Sequence, residues 1–272
     1  MPPKYGFPYR GSKSKIALDV INVLPGADNL YDLFAGGCAI THCAILSNKW
    51  NNVIANDIQN TTSLFLDATG GKYKDEKRWI SREDFFRLKD VEPYVRWIWS
   101  FGNNGRDYLF GKDIEQVKRS AHRFLFENEY DRTPQSRVKL TKRFKEMATI
   151  DGRFELEQLE RLQQLETYST DYRDVEIKSD SVVYCDIPYN QKKGVKEEYH
   201  GLAFDTDAFY EWAGTRDFPV YFSSCFCEDF ECVWQKDKLC TMNNKNSHGK
   251  KLIIERLFWN GKGEHIRQTL PL

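Results

Sequence analysis

The sequence is short of the features that would direct a chain into a membrane, out of a cell or onto a metal. No run of about 18 apolar residues occurs among its 272 positions, so no membrane-spanning helix is expected. The opening stretch MPPKYGFPYRGSKSK has no apolar signal core, and export by that route is not expected. Seven cysteines (Cys38, Cys43, Cys185, Cys225, Cys227, Cys232 and Cys240) form no even framework and no C-x-x-C pair. Several lie in apolar runs, which suits reduced, small, buried side chains in a cytoplasm better than zinc ligands. The five histidines, His42, His122, His200, His248 and His265, show no metal-binding spacing. No Gly-Lys-Ser/Thr follows the glycines, and G-x-G-x-x-G is absent, so neither a Walker loop nor a dinucleotide fingerprint is present. Net charge is missing as well, with 40 basic residues against 40 acidic ones.

What the chain does contain is unevenly placed. From Lys112 to Lys145 there are ten Lys/Arg and five Asp/Glu, a local excess of +5 that the remainder cancels. A basic middle inside a neutral chain points to a polyanion contact on one part of the surface, or to a solvated helix face. The first third alternates helix and strand. KIALDVINVL (residues 15–24) has helical spacing and stops at Pro25-Gly26; NLYDLF (29–34) reads as a strand; AGGCAITHCAIL opens a helix through a glycine turn; NNVIAND (51–57) reads as the next strand. That is a βαβ unit with a parallel pair. After Gly70-Gly71 the composition becomes charged, aromatic and helical as far as about Tyr168, with Leu156, Leu159, Leu162 and Leu165 recurring as one buried helical stripe in FELEQLERLQQLETY. The α/β pattern then resumes with SVVYC (181–185), the helix FDTDAFYEWAGT, the strand FPVYFSS (218–224) and KLIIERLFWN (251–260), the last expected as an antiparallel edge strand. The expected division is a catalytic domain over 1–71 and 168–272, and an inserted domain over 72–167.

In an open α/β sheet, ligands bind beyond the carboxyl ends of the strands. Three such ends carry chemistry here: Phe34-Ala35-Gly36-Gly37, then Asp57, then Asp186-Ile187-Pro188-Tyr189. The glycine turn lets a ligand approach the backbone and bare helix N–H groups. An acid closing the second strand accepts hydrogen bonds from the two hydroxyls of a ribose. With no phosphate cradle, the pair points to a nucleoside cofactor lacking a phosphate chain. If that cofactor is S-adenosylmethionine and the acceptor an exocyclic amine, the third strand end has a task. Asp186 accepts one amine N–H and a backbone carbonyl near Ile187 or Pro188 accepts the other, which frees the nitrogen lone pair for attack. Pro188 fixes its own φ and brings no competing donor, and Tyr189 offers a face on which an extruded base stacks.

These motifs resemble those of the Dam-type DNA adenine-N6 methyltransferases, and the likeness covers nearly the whole chain. FPYRGSKSKIALDVINVLP is similar to the family's N-terminal cofactor motif, which implies contacts from Tyr9, Gly11 and Lys13, the lysine helping to grip the cofactor carboxylate. YDLFAGGCA resembles its glycine motif and implicates Asp32, Phe34 and Gly36. VIANDIQ resembles the ribose motif and points to Asp57. YSTDYRDV resembles the segment beside the cofactor's adenine, which makes Asp171 and Tyr172 candidates. CDIPY resembles Asp-Pro-Pro-Tyr, with Ile187 in place of the first proline; the family also implies that Asp186 anchors the cofactor's amino group. Tyr9 stands where a tryptophan is common. In related enzymes an Asp at the first position of this motif goes with adenine, Ser often with cytosine N4 and Asn with glutamine, so Asp186 favours adenine.

The resemblance implies an α/β fold: a Rossmann-like S-adenosylmethionine-dependent methyltransferase sheet with an inserted, mainly helical target-recognition domain. It implies methyl transfer to a flipped adenine in double-stranded DNA, with no metal and S-adenosylhomocysteine as product. The DNA reader falls in SFGNNGRDYLFGKDIEQVKRSAHRF, where FGNNGRDY resembles a glycine-asparagine loop of that family. The residues proposed to meet DNA are Asn104, Arg106, Lys112, Lys118, Arg119, Arg123, Arg137 and Lys139, joined by Arg132, Lys142 and Arg143 as phosphate-neutralising charges. Lys192, Lys193, Lys196 and His200 lie in a loop after the catalytic motif that either closes over the base or is plain surface. The expected protein is cytoplasmic, bacterial or phage-encoded, a monomer or weak dimer on DNA. Competing readings are an RNA adenine or DNA cytosine-N4 methyltransferase, and a catalytically silent DNA-binding relative.

Overall fold

A computed structural model describes residues 5–127, 161–162, 164–188, 198–199, 202–240 and 251–263. Seven strands form one sheet in the order β3-β2-β1-β4-β7-β9-β8. They are β1 (Asn29–Asp32), β2 (Asn52–Asn56), β3 (Glu166–Tyr168), β4 (Ser181–Cys185), β7 (Val220–Ser224), β8 (Glu231–Cys240) and β9 (Lys251–Trp259). The short strands β5 (Glu198–Tyr199) and β6 (Leu202–Ala203) pair separately as an antiparallel ribbon. Strands β3, β2, β1, β4 and β7 run parallel. Strand β9 runs against both of its neighbours, β7 and β8.

The central strands β1, β4 and β7 are buried throughout because both faces of the sheet are covered. All five residues of β4 are buried, and they alternate between two cores: Val182 and Tyr184 join one, Val183 and Cys185 the other. The first core also takes α1 (Ala17–Val23) and α2 (Ala39–Ser47), whose short apolar helices pack on each other. The second is built on α7 (Thr206–Thr215), whose first turn is capped by Asp205 accepting from the Ala208 N–H at 3.1 Å. Helix α3 (Thr61–Thr69) follows β2.

Residues 72–127 are helical as expected, with α4 (Arg82–Leu88), α5 (Pro93–Ile98) and α6 (Glu115–Phe126). The change of composition at Gly70-Gly71 is not a break in packing. Tyr73, Phe85, Trp97 and Trp99 belong to the same apolar core as α1 and α2.

Three expectations need correction. Strand β9 is antiparallel but not an edge; β8 lies outside it and was not foreseen, because ECVWQKDKLC mixes charge with isolated apolar residues. The cysteines near β8 are not uniformly buried: Cys225 and Cys227 are half-exposed and Cys232 is exposed, and six cysteines are free thiols among the described residues. The leucine stripe does not continue as one helix, since Glu166–Tyr168 at its end is strand β3. Leu162 and Leu165 are buried in the first core, and Arg161 donates to the carbonyls of Ile45 and Trp50, so the chain has rejoined the sheet by residue 161. Leu156 and Leu159 lie outside the described residues.

Asn260 closes the sheet beyond β9. Its Oδ1 accepts from the Val220 N–H at 3.0 Å, and its Nδ2 donates to the carbonyls of Ala213 at 3.0 Å and Phe218 at 3.1 Å. Asn260→Ala strands these groups and is expected to cost about 1–3 kcal/mol. The check is a lower urea midpoint with an unchanged slope.

Candidate active site

Parallel strands bring their carboxyl ends to one edge of the sheet, and there the loops after β1, β2, β3 and β4 line a single cleft. It encloses about 990 Å³ of space, open solvent at its mouth included. The β1 loop turns through Gly36 at φ +49°, a left-handed conformation that an L side chain adopts only with strain. A Cβ on Gly37 would lie 2.6 Å from Tyr9 Cβ and 2.9 Å from the Phe7 carbonyl oxygen, so the turn is closed down on the N-terminal segment. Asp57 at the end of β2 holds the same turn: its Oδ2 accepts from the Gly36 N–H at 2.8 Å and its Oδ1 from the Gln59 N–H at 2.9 Å. Burial pushes the Asp57 pKa up, against the pull of these backbone donors. Each carboxylate oxygen retains a lone pair for a further donor.

An aromatic wall stands beside the turn. The rings of Phe34 and Tyr172 are 5.2 Å apart at 36°, and Phe204 meets Phe34 edge-on at 5.6 Å. Ile58, exposed, also lines the cleft. The wall is held by Asn56, whose Nδ2 donates to the carbonyls of Leu33 and Thr170, both at 3.1 Å, while its Oδ1 accepts from the Thr170 N–H at 3.1 Å. Asp171 caps the turn before Tyr172 and is clamped by the Arg173 guanidinium at 2.7 and 2.8 Å, which holds its carboxyl below the usual range.

The inner end of the cleft is acidic. Lys13 Nζ lies 2.6 Å from Asp186 Oδ1 and 3.9 Å from Glu255 Oε2. Burial works against the ammonium, but the two carboxylates outweigh it and hold the lysine above its ordinary pKa. Asp32, 1% exposed, accepts from the Thr41 N–H at 3.1 Å and the Thr41 hydroxyl at 2.7 Å through Oδ2. Its Oδ1 is buried with no hydrogen-bond partner among the described residues. Burial first, and the negative charges of Asp186 and Asp57, push its pKa up to about 7. Tyr184 lines the same region, its hydroxyl 2.7 Å from Ser223 Oγ.

All ten residues proposed to hold a cofactor line this cleft, as does Pro188. Tyr189 lies outside the described residues, and so do Arg132, Arg137, Lys139, Lys142, Arg143, Lys192, Lys193, Lys196 and His200. Ile187, where the motif has proline, is buried in the second core with Val175 and Phe209, so it packs beneath the loop. Two residues proposed for DNA serve the fold. Asn104 is buried; its Oδ1 accepts from the N–H groups of Arg106 and Asp107 and its Nδ2 donates to Asp107, which staples the loop. Arg119 pairs with Glu127 at 3.1 Å and covers the Trp79 ring. Arg106, Lys112 and Arg123 are exposed, and Lys118 is half-buried. Asn56, Ile58, Phe204 and Glu255 escaped sequence reading. Asn56 and Ile58 flank Asp57 and were within reach; Phe204 and Glu255 follow only from how the chain returns to the cleft.

A seven-stranded, mostly parallel sheet with a cleft at its carboxyl edge and an acid after β4 is consistent with a Rossmann-like methyltransferase fold. The description of the D12 class N6 adenine-specific DNA methyltransferases matches residues 9–241, and the chain belongs to that family. It is accordingly an enzyme that methylates adenine N6 in DNA, and S-adenosylmethionine is the donor that membership implies. No curated protein matches the sequence. The cleft suits that cofactor. The Asp32 Oδ1, buried with no hydrogen-bond partner among the described residues, calls for a donor such as an ammonium, and Gly36 and Gly37 line the same cleft.

Gly37→Ala is expected to displace Tyr9 and the turn and to weaken S-adenosylmethionine binding by about tenfold or more (roughly 1.4 kcal/mol), read by calorimetry. Asp32 supplies a pH test. Its folded pKa of about 7 lies above its ordinary value of 3.8, so its contribution to stability is full below about pH 4 and is lost as pH rises through 7. Asp32→Asn is expected to gain on the wild type over that interval, by at most about 4 kcal/mol. Melting of both proteins from pH 4 to 8 measures it.

Proposed function

We propose that the enzyme methylates N6 of an adenine rotated out of duplex DNA, with Asp186 as the residue that meets the amine. The supporting observation is the position of Asp186: it follows β4, is partly exposed, and lines the same cleft as the Gly36-Gly37 turn and the aromatic wall. The Asp186 carboxylate accepts one amine N–H, and a carbonyl at Ile187 or Pro188 accepts the other. An ionised acceptor binds a partly positive amine more strongly than a hydroxyl does, which favours adenine over cytosine N4 for this motif. Pro188 restricts the loop, and the buried Ile187 side chain secures it from below. Tyr189 supplies the stacking surface for the everted base.

When bound, S-adenosylmethionine supplies a methyl group already activated by its sulfonium, so the transfer calls for no metal. Asp57 holds the ribose hydroxyls, Phe34, Ile58, Tyr172 and Phe204 enclose the adenine, and Asp32 receives the amino group. Asp171, engaged by Arg173, shapes the turn that carries Tyr172. Target recognition falls to the segment between Gly71 and residue 161, where the chain rejoins the sheet, with Arg106, Lys112 and Arg123 as exposed cations for phosphates. The enzyme acts as a monomer or weak dimer in a bacterial or phage-infected cytoplasm.

Incubation with tritiated S-adenosylmethionine and duplex DNA, single-stranded DNA or RNA, followed by nucleoside analysis, tests this reading. N6-methyladenine from duplex DNA is expected; label in RNA or in N4-methylcytosine overturns it. Asp186→Asn is expected to reduce kcat at least about 100-fold with cofactor affinity within about tenfold. Unimpaired turnover removes Asp186 from the chemistry.

A further inference from the structure

An ionised Asp57 accepts hydrogen bonds and donates none. A ribose hydroxyl that donates to it keeps its own oxygen lone pairs, and in an enclosed site these call for a donor from the protein. Among the described residues, two side-chain amides line the cleft, Asn56 and Gln59. Asn56 directs its amide hydrogens to the carbonyls of Leu33 and Thr170. Gln59 Nε2 makes no hydrogen bond among the described residues.

The side chain of Gln59 is nevertheless held at both ends. Its backbone N–H donates to Asp57 Oδ1 at 2.9 Å, in a turn closed by the Asn60 N–H on the Asp57 carbonyl, also at 2.9 Å. Its Oε1 lies 3.5 Å from Arg96 Nη2. A guanidinium carries donors only, so the amide NH2 cannot take that place, and chemistry assigns the oxygen to it. The NH2 is then the end of the side chain left to a ligand. Arg96 is itself fixed: its guanidinium lies 5.1 Å from the centre of the Trp97 ring, and α5, which carries it, packs on α3, the helix that begins directly after the turn. We propose that Gln59 is a further cofactor-binding residue, its Nε2 donating to a ribose hydroxyl oxygen of S-adenosylmethionine, and that Arg96 is a positioning residue that decides which end of the amide faces the nucleoside. Asp57 and Gln59 thus read the same sugar as acceptor and donor. The inference rests on the placement of the cofactor ribose at Asp57.

Dissociation constants measured by calorimetry, without DNA, test this on wild type, Gln59→Met and Gln59→Glu, with thermal melting to establish folding. Gln59→Met removes the amide; Gln59→Glu keeps its shape and puts a carboxylate oxygen where the NH2 stood. Both are expected to weaken S-adenosylmethionine and 5′-methylthioadenosine, which lacks the amino-acid end, by the same factor: about fivefold for Gln59→Met and about tenfold or more for Gln59→Glu. Wild type and Gln59→Met are expected to bind alike a methylthioadenosine stripped of both ribose hydroxyls. Unchanged affinity in the folded variants, a loss seen with S-adenosylmethionine but not with methylthioadenosine, or a loss that persists without the hydroxyls would each overturn the inference. Arg96→Met is expected to cost about threefold in wild type and less in Gln59→Met, while Arg96→Lys, which keeps a donor, stays within about twofold of wild type. Equal losses from Arg96→Met in the two backgrounds would overturn the role of Arg96. A wild type that fails to bind S-adenosylmethionine would overturn the cofactor assignment along with the inference, whereas the outcomes above overturn the inference alone.

Discussion

The contact between Lys13 and Asp186 is the constraint around which the cleft is organised. It joins a residue before the first helix to one after the fourth strand, and with Glu255 it reaches the last strand of the sheet. Removing the lysine takes from both buried acids the cation they share, which costs more than the net strength of the contact. The acid after β4 is therefore held by charge as well as by backbone geometry. A carboxylate with a fixed partner is oriented before any substrate arrives, and its direction need not be set during the reaction.

The second organising element is the set of side-chain bonds to backbone around β2. Asp57 ties the glycine turn, and Asn56 ties β1 to the segment carrying Tyr172. Adjacent residues on one strand end thus hold opposite sides of the cleft. The glycine turn is further pressed by Tyr9, whose ring lies 5.0 Å from Trp97, so residues 72–127 support the cofactor side of the molecule directly. The loop with Asn104 is part of that support: Asn103 accepts from the Arg10 N–H at 3.3 Å, next to Gly11 in the cleft. The side-chain amides of this loop close a tight turn beside a buried tryptophan, Asn103 Nδ2 donating to the Trp97 carbonyl at 2.9 Å.

Much of this was legible in the sequence because the decisive residues sit at strand ends in a short span. The glycine turn, Asp57 and Asp186 each follow an apolar run that can only be a central strand, and the parallel sheet then forces them together. Charge patterning was a poorer guide. Arg119 looks like its basic neighbours, yet its side chain is spent on Glu127 and Trp79, and helical position alone does not reveal that. Strand β8 was hidden by its charged residues, which a strand at the sheet margin tolerates because one face meets solvent. Without β8, the pattern of β9 reads as an edge strand, in which a glutamate is ordinary. Its importance depends on strand order, a long-range property that local pattern does not encode.

The strand order also bears on synthesis. Strand β9 lies between β7 and β8, both of which leave the ribosome before it. Until it docks, the sheet lacks its join to the outermost strand and Lys13 lacks its contact with Glu255. The charged group behind the cleft is thereby finished only once β9 has joined the sheet.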